Sequence, residues 1–294
     1  MCAAQAIVSL FVQTLVSPLA RRRTVPGIRP LMLLLALYAT PHAARAACGG
    51  APTRETRVAA INAALEITTS DGEILTLAGV EPPAPSPQNP SRAEDTRRRL
   101  SDWLIGRTLG LVDLGPGSDR WGRRPVEARA EVEAGRERID VGAALVEAGL
   151  ARASMTPPND CFLRLRALED GARDAALGLW SDPFYDIIEA TDRDALRAQN
   201  GRVVIVEGTV ISIGQGRLRT YLNFGDRRLD LSLTVANRDI VKLQKSRLAA
   251  ADLKGRALRV RGRLDFRFGP QIDITNAQQV EFIATEPSVA EQKP

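Results

Sequence analysis

Between Arg256 and Phe268 the chain reads RALRVRGRLDFRF, and the two-residue period of a strand divides these residues between two faces. Val260, Gly262, Leu264, Phe266 and Phe268 fall on one face. Arg259, Arg261, Arg263 and Arg267 fall on the other, interrupted by Asp265. In GRLRTYLNFG, residues 216–225, the same period points Leu218, Leu222 and Phe224 inward and Arg217, Arg219 and Tyr221 outward. Guanidinium groups spaced along a strand can meet successive phosphates, and a tyrosine ring gives a base a surface to stack on. The chemistry this predicts is reversible binding of a polyanion, with single-stranded nucleic acid the first class and other polyanions behind it. A solvated outer face closed by cross-strand ion pairs is the competing reading of the same residues.

Other chemistries are thinned out by the N-terminal sequence. ARRRTVPGIRPLMLLLALYATPHAARA, residues 20–46, carries a basic run at Arg21–Arg23, an apolar run from Leu31 to Ala39 and a small-x-small end at Ala44–Ala46. This order predicts a signal peptide over residues 1–46, cleaved near Ala46, and a periplasmic or secreted mature protein. The apolar run is far short of the roughly 20 residues a spanning helix needs, and no later stretch is more apolar, so no transmembrane segment is expected. The leader holds five arginines and no acids, so its removal brings 40 basic residues to 35, matched by 35 acidic ones. Overall basicity is therefore no argument for nucleic acid. His42 is the chain's single histidine and would leave with the leader, removing any histidine base or histidine metal ligand. Cys2 would leave too. Cys48 and Cys161 remain, and export predicts that they pair as a disulfide, with two unrelated thiols as the alternative. Two cysteines alone cannot complete a tetrahedral metal site, and no metal or cofactor is expected.

The elements that must position these groups form two blocks. After an N-terminal linker at 47–57, residues 58–181 alternate short strands with helices at 91–106, 138–153 and about 160–176. Asp140 is a cap for the second helix, and Gly178-Leu179-Trp180 ends the third. Trp121 and Trp180 are expected in the core. A helical connector spans 182–200. Residues 201–285 read as five strands with a helical insert at about 238–251, the pattern of an oligonucleotide/oligosaccharide-binding (OB) barrel, with a β-sandwich as the competing reading. Residues 286–294 have no apolar pattern and are expected to be a flexible tail. The fold class is α+β, built from a five-stranded barrel with three helices and a second, mostly-β OB-like barrel. Charge divides with these blocks: residues 47–200 carry 19 basic and 25 acidic residues, and residues 201–285 carry 15 and 8.

Four stretches, DGEILTLAGVEPP, DRWGR, VGAALVEAGLARA and ALEDGARDAALGLW, occur in an order that resembles the staphylococcal-nuclease-like (thermonuclease) family over about residues 58–180. The resemblance implies a five-stranded barrel with three helices and calcium-dependent phosphodiester hydrolysis, which needs carboxylates for the cation, an acid to orient water and two arginines for the transition state. Most of those positions are replaced here. A metal acid falls on Ala63, the strand arginine on Thr76 and the water-orienting glutamate on Ala84. Glu81 keeps the charge of the second metal acid, and Arg123 keeps the second arginine, with Asp119 beside it. The expectation is an exported, catalytically degenerate relative that binds nucleic acid or another polyanion. An active nuclease using Glu81, Arg123 and Ca2+ is the first alternative, and a cell-envelope interaction or structural protein is the second.

Overall fold

The computed structural model describes residues 48–115, 117–131, 138–155, 161–225, 230–240, 243 and 253–283. The expected leader, tail and most of the 238–251 insert lie outside them. Among the described residues no helix is long and apolar enough to cross a membrane. The chain is α+β, as its patterning predicts.

The first barrel is made from β1 (Arg54–Ile61), β2 (Ile67–Thr69), β3 (Ile74–Leu77), then the short β4 (Val80–Glu81), helix α1 (Arg92–Leu104), β5 (Thr108–Asp113) and β6 (Arg123–Glu131). Its strand order is β3-β2-β1-β5-β6, and β3 also pairs in parallel with β6, Ile74 opposite Arg123 through Leu77 opposite Val126. That last pairing closes five strands into a barrel. β1 starts at Arg54, inside the stretch expected to be a linker, because Arg54 through Arg57 already pair with β5. β7 (Arg138–Asp140) extends the sheet beyond β6 and runs into α2 (Val141–Glu147), whose first turn is capped by the Asp140 carboxylate accepting from Ala143 N–H at 3.0 Å. β8 (Arg152–Ala153) pairs with β4, and α3 (Phe162–Asp174) follows. Phe162, Leu165, Glu169 and Ala172 are buried along one face of α3. Gly79 lets that face approach the barrel: its φ is +74°, and a Cβ there would lie 2.9 Å from Leu165 Cδ1 and 3.1 Å from Cys161 Cβ. A disulfide joins Cys48 to Cys161 across 113 residues, as expected for the pair.

The second unit comprises β9 (Ile188–Glu189), α4 (Arg193–Ala198), β10 (Val203–Thr209), β11 (Ser212–Gln215), β12 (Arg219–Asn223), β13 (Ser232–Ala236), β14 (Ala257–Asp265), β15 (Gln271–Asp273) and β16 (Val280–Phe282). The pairing runs β11-β12-β13-β15-β14-β10-β9, with β16 on β14. Only Val210 and Ile211 separate β10 from β11. Their amides donate to Arg256 O at 3.0 Å and Asn223 O at 2.8 Å, so one bent strand contacts both ends of the path. The result is a closed five-stranded barrel of the expected OB type rather than a sandwich. The connector is integral to this barrel: β9 pairs with β10, and Ile188, Ala190 and Leu196 join its core.

The described residues, 48–283, fall in one compact unit rather than two beads on a linker. Ala172, Leu179, Trp180, Tyr185 and Ile205 make a small apolar core between the two barrels. Asp182 is buried at this seam. Burial opposes its charge, but Ser86 Oγ–H, Phe184 N–H and Arg92 outweigh that and hold its carboxyl below the usual carboxylate range.

Candidate functional site

Of the two residues retained at positions the nuclease resemblance implies, Arg123 lines a cavity of the first barrel and Glu81 lies outside it. The cavity, about 260 Å3, is lined by Ala64, Leu65, Thr76, Asp119, Arg123 and Pro125 among others. Arg123 is committed to carboxylates, Asp119 at 2.8 Å and Glu66 at 3.0 Å, and it holds the Asp119 carboxyl below its ordinary range. Thr76 donates through Oγ1 to Arg124 O at 3.4 Å. Glu81 does not line this cavity. Its carboxylate accepts from Arg152 at 2.9 Å, and the same Arg152 nitrogen reaches Val203 O at 3.0 Å in the second barrel. Glu81 is thus part of the seam. Asp71 and Glu73, acids of the turn before β3, are also engaged: Thr69 Oγ1–H donates to Asp71 at 2.5 Å, and Arg54 and Arg124 bond Glu73. Trp121 departs from its expected core position. It is 59% exposed because it rides on the Asp119–Arg123 turn, whose amides are held by the Asp119 carboxylate. Arg120 and Arg123 flank its ring with guanidinium carbons 3.8 and 4.6 Å from the centroid. A cluster of metal-type donors, Cys48, Glu127 and Cys161, is closed to metal by the disulfide.

The second barrel gathers five of the seven residues expected to bind a polyanion. Arg217, Arg219, Tyr221, Arg263 and Arg267 line one groove of about 590 Å3, whose wall also includes Asp265 and Asp273. Three elements place them. The β11–β12 turn carries Arg217, pinned by Asn237 Nδ2 donating to Gly216 O at 3.0 Å and Arg217 O at 3.2 Å. β12 presents Arg219 and Tyr221, the latter opposite Gly214. A Cβ on Gly216 would stand 3.1 Å from Arg219 O and 3.4 Å from Tyr221 Cε2, so the turn packs closely on the start of β12, beside the half-buried ring. β14 and the turn after it supply Arg263 and Arg267. Within the groove Arg219 pairs with Asp273 at 2.6 Å, and Arg267 pairs with Asp265 at 2.6 Å, lowering the Asp265 carboxyl below its ordinary range. Among the described residues, Arg217 and Arg263 have no carboxylate partner; Arg263 donates to Gly201 O. Four arginines against two carboxylates leave the groove net positive.

The remaining two arginines of the expected stripe lie elsewhere. Arg259 stands opposite Glu207 in the β10–β14 register and pairs with it, the cross-strand ion pair that the competing reading anticipates. Arg261 is 4% exposed and makes a two-pronged ion pair with Glu169 of α3, which is 0% exposed. Ala153 completes the cluster, its carbonyl accepting from Arg261 at 3.1 Å and its amide donating to Glu169 at 2.9 Å. The alternation placed Arg261 on the correct side of β14. That side is covered by α3, so Arg261 cannot belong to an open binding face.

Two residues expected inward sit on the groove rim instead. Phe268 is 75% exposed and Leu218 is 71% exposed, each at the tip of a hairpin. Alternation ends with the strand at Asp265, and Gly269, φ +105°, turns the chain so that Phe268 projects outward. Leu218 precedes β12, where the pleat does not yet apply. The sequence signal for both was their place beside Gly216 and Gly269, which mark turns rather than strand interiors.

No family model matches this chain, and no curated protein matches it. Among solved structures, the extended Tudor domain of Drosophila melanogaster Tudor-SN is similar at 20% identity with a TM-score of 0.30. That likeness covers 36% of this chain and 46% of the Tudor-SN chain, so the present chain spans less than half of that structure's length.

Proposed function

We propose that this chain is an exported, catalytically silent relative of the thermonuclease family that binds an extended polyanion in the groove of its second barrel. The observation that carries the reading is the convergence of Arg217, Arg219, Tyr221, Arg263 and Arg267 on one groove, while Glu81 and Arg123 are each tied into separate ion pairs. A hard dication needs several oxygens held together, and the first barrel offers no free set at Ala63, Thr76 and Ala84. The Cys48–Cys161 bond suits the oxidising compartment that export implies.

Binding here is electrostatic and shallow. Each phosphate neutralised on a single strand contributes about −0.7 to the slope of log affinity against log salt, so two or three contacts give a slope of roughly −1.4 to −2.1. The expected results are no cleavage of single-stranded DNA or RNA above a buffer blank with calcium, and low-salt binding of a labelled anionic 12-mer by fluorescence anisotropy. Replacing both Arg217 and Arg263 with alanine should weaken that binding and flatten its salt slope by about 1.4. Cleavage that disappears with Arg123→Ala contradicts the silent first barrel, and a salt slope unchanged by the double substitution contradicts the groove.

A further inference from the structure

We infer that the groove takes single-stranded nucleic acid in particular, with Phe268 and Leu218 acting as two apolar tips that grip an unstacked base above the arginine floor. This rests on the polyanion reading of the groove and goes beyond it, because charge alone does not distinguish nucleic acid from polyphosphate or a sulfated sugar.

The argument begins with what the two tips are not doing. Phe268 and Leu218 are among the most exposed large apolar side chains of the described chain, and neither belongs to the cores of the two barrels. Water disfavours such exposure, and both residues border the same groove. Each stands next to an arginine in sequence, Leu218 beside Arg217 and Phe268 beside Arg267. Each hairpin therefore presents one cation and one apolar surface together. Tyr221 adds a third flat surface lining the groove, next to Gly216. A ligand satisfying this arrangement must alternate anionic groups with flat apolar ones. Polyphosphate and sulfated polysaccharides lack the flat groups. Duplex DNA turns its bases inward, where exposed rings cannot stack on them. A single strand carries both groups on every residue.

A membrane bearing anionic lipid also joins negative charge to apolar material, but the geometry does not favour it. Tyr221 is half-buried beside the two exposed tips, and a planar surface resting on both tips has less reach to it than a flexible chain. A flexible chain threaded between the tips reaches all of them. The stacking surface also explains why the groove can work with a modest net charge: Asp265 and Asp273 offset two of its arginines, and base contacts add affinity that salt does not screen.

The test uses the chain from Ala47 to Pro294, whose described residues form one compact unit. Three probes are titrated by fluorescence anisotropy at low salt: dT12, an abasic deoxyribose-phosphate 12-mer and polyphosphate of similar charge. The expected result is about tenfold tighter binding of dT12 than of the abasic chain, with Phe268→Ala abolishing most of that difference and leaving the salt slope unchanged. Phe268→Trp should keep the preference, and its added tryptophan emission should change with dT12 but not with the abasic chain. Equal binding of dT12 and the abasic 12-mer, unaffected by Phe268→Ala, overturns the base grip while leaving the polyanion groove standing. Failure of all three probes to bind overturns the groove and the grip together. Binding to anionic phospholipid vesicles without binding to dT12 also overturns the nucleic-acid assignment.

Discussion

Glu169→Ala is expected to destabilise the protein by about 3–5 kcal/mol, because it leaves the Arg261 guanidinium buried without its counter-charge. Glu169 is 0% exposed, and its two oxygens take Arg261 from β14 and the Ala153 amide from β8. Arg261→Ala should cost a similar amount for the converse reason. Replacing the pair with apolar residues of similar volume, Glu169→Leu with Arg261→Met, should recover much of the loss, since burying two charges also carries a large desolvation cost. Urea unfolding followed by circular dichroism reads all three variants. Single substitutions that each change stability by less than about 0.5 kcal/mol would show that the pair does not fasten α3 to the second barrel.

The second large effect concerns the Cys48–Cys161 bond. It closes a loop of 113 residues, for which chain-entropy arithmetic gives about 4–5 kcal/mol of stabilisation through the unfolded state. Cys48→Ser with Cys161→Ser should therefore lower the unfolding free energy by about 2–5 kcal/mol. Polyanion affinity should be unchanged, because neither cysteine lines the groove. Intact-mass analysis of alkylated, unreduced protein should show no modified thiol at either position. Two alkylated cysteines would contradict the pairing.

Much of the architecture was legible because local rules decide it. Helix α1 matches a periodic run ending at a glycine, and α2 begins at the expected Asp140 cap. Residues near the barrel seam were less legible, since period-two alternation identifies a strand's faces but not what covers them. Arg259, Arg261 and Arg263 lie along the same strand, yet one meets a cross-strand glutamate, one meets α3 and one reaches the groove. The partner Glu169 sits 92 residues away in sequence, on a helix position that reads as core. No local pattern joins those two. Glu81 was misleading for a related reason: as a metal-ligand candidate it looked free, but Arg152 approaches it only because β4 pairs with β8. The same buried pair changes how the second barrel should be tested. An isolated fragment starting near residue 201 would lack Glu169 and expose Arg261, so binding belongs on the whole unit.

Hydrogen exchange with and without dT12 tests most directly whether the ligand lies on the second barrel rather than in the cavity of the first. Bound dT12 should slow amide exchange in peptides covering 215–223 and 263–273, the two hairpins that carry Arg217, Tyr221, Arg263 and Phe268. Peptides covering 74–81 and 119–123, beside Thr76 and Arg123, should exchange at the same rate in both conditions. Protection confined to 74–81 and 119–123, with the two hairpins unchanged, would contradict the account.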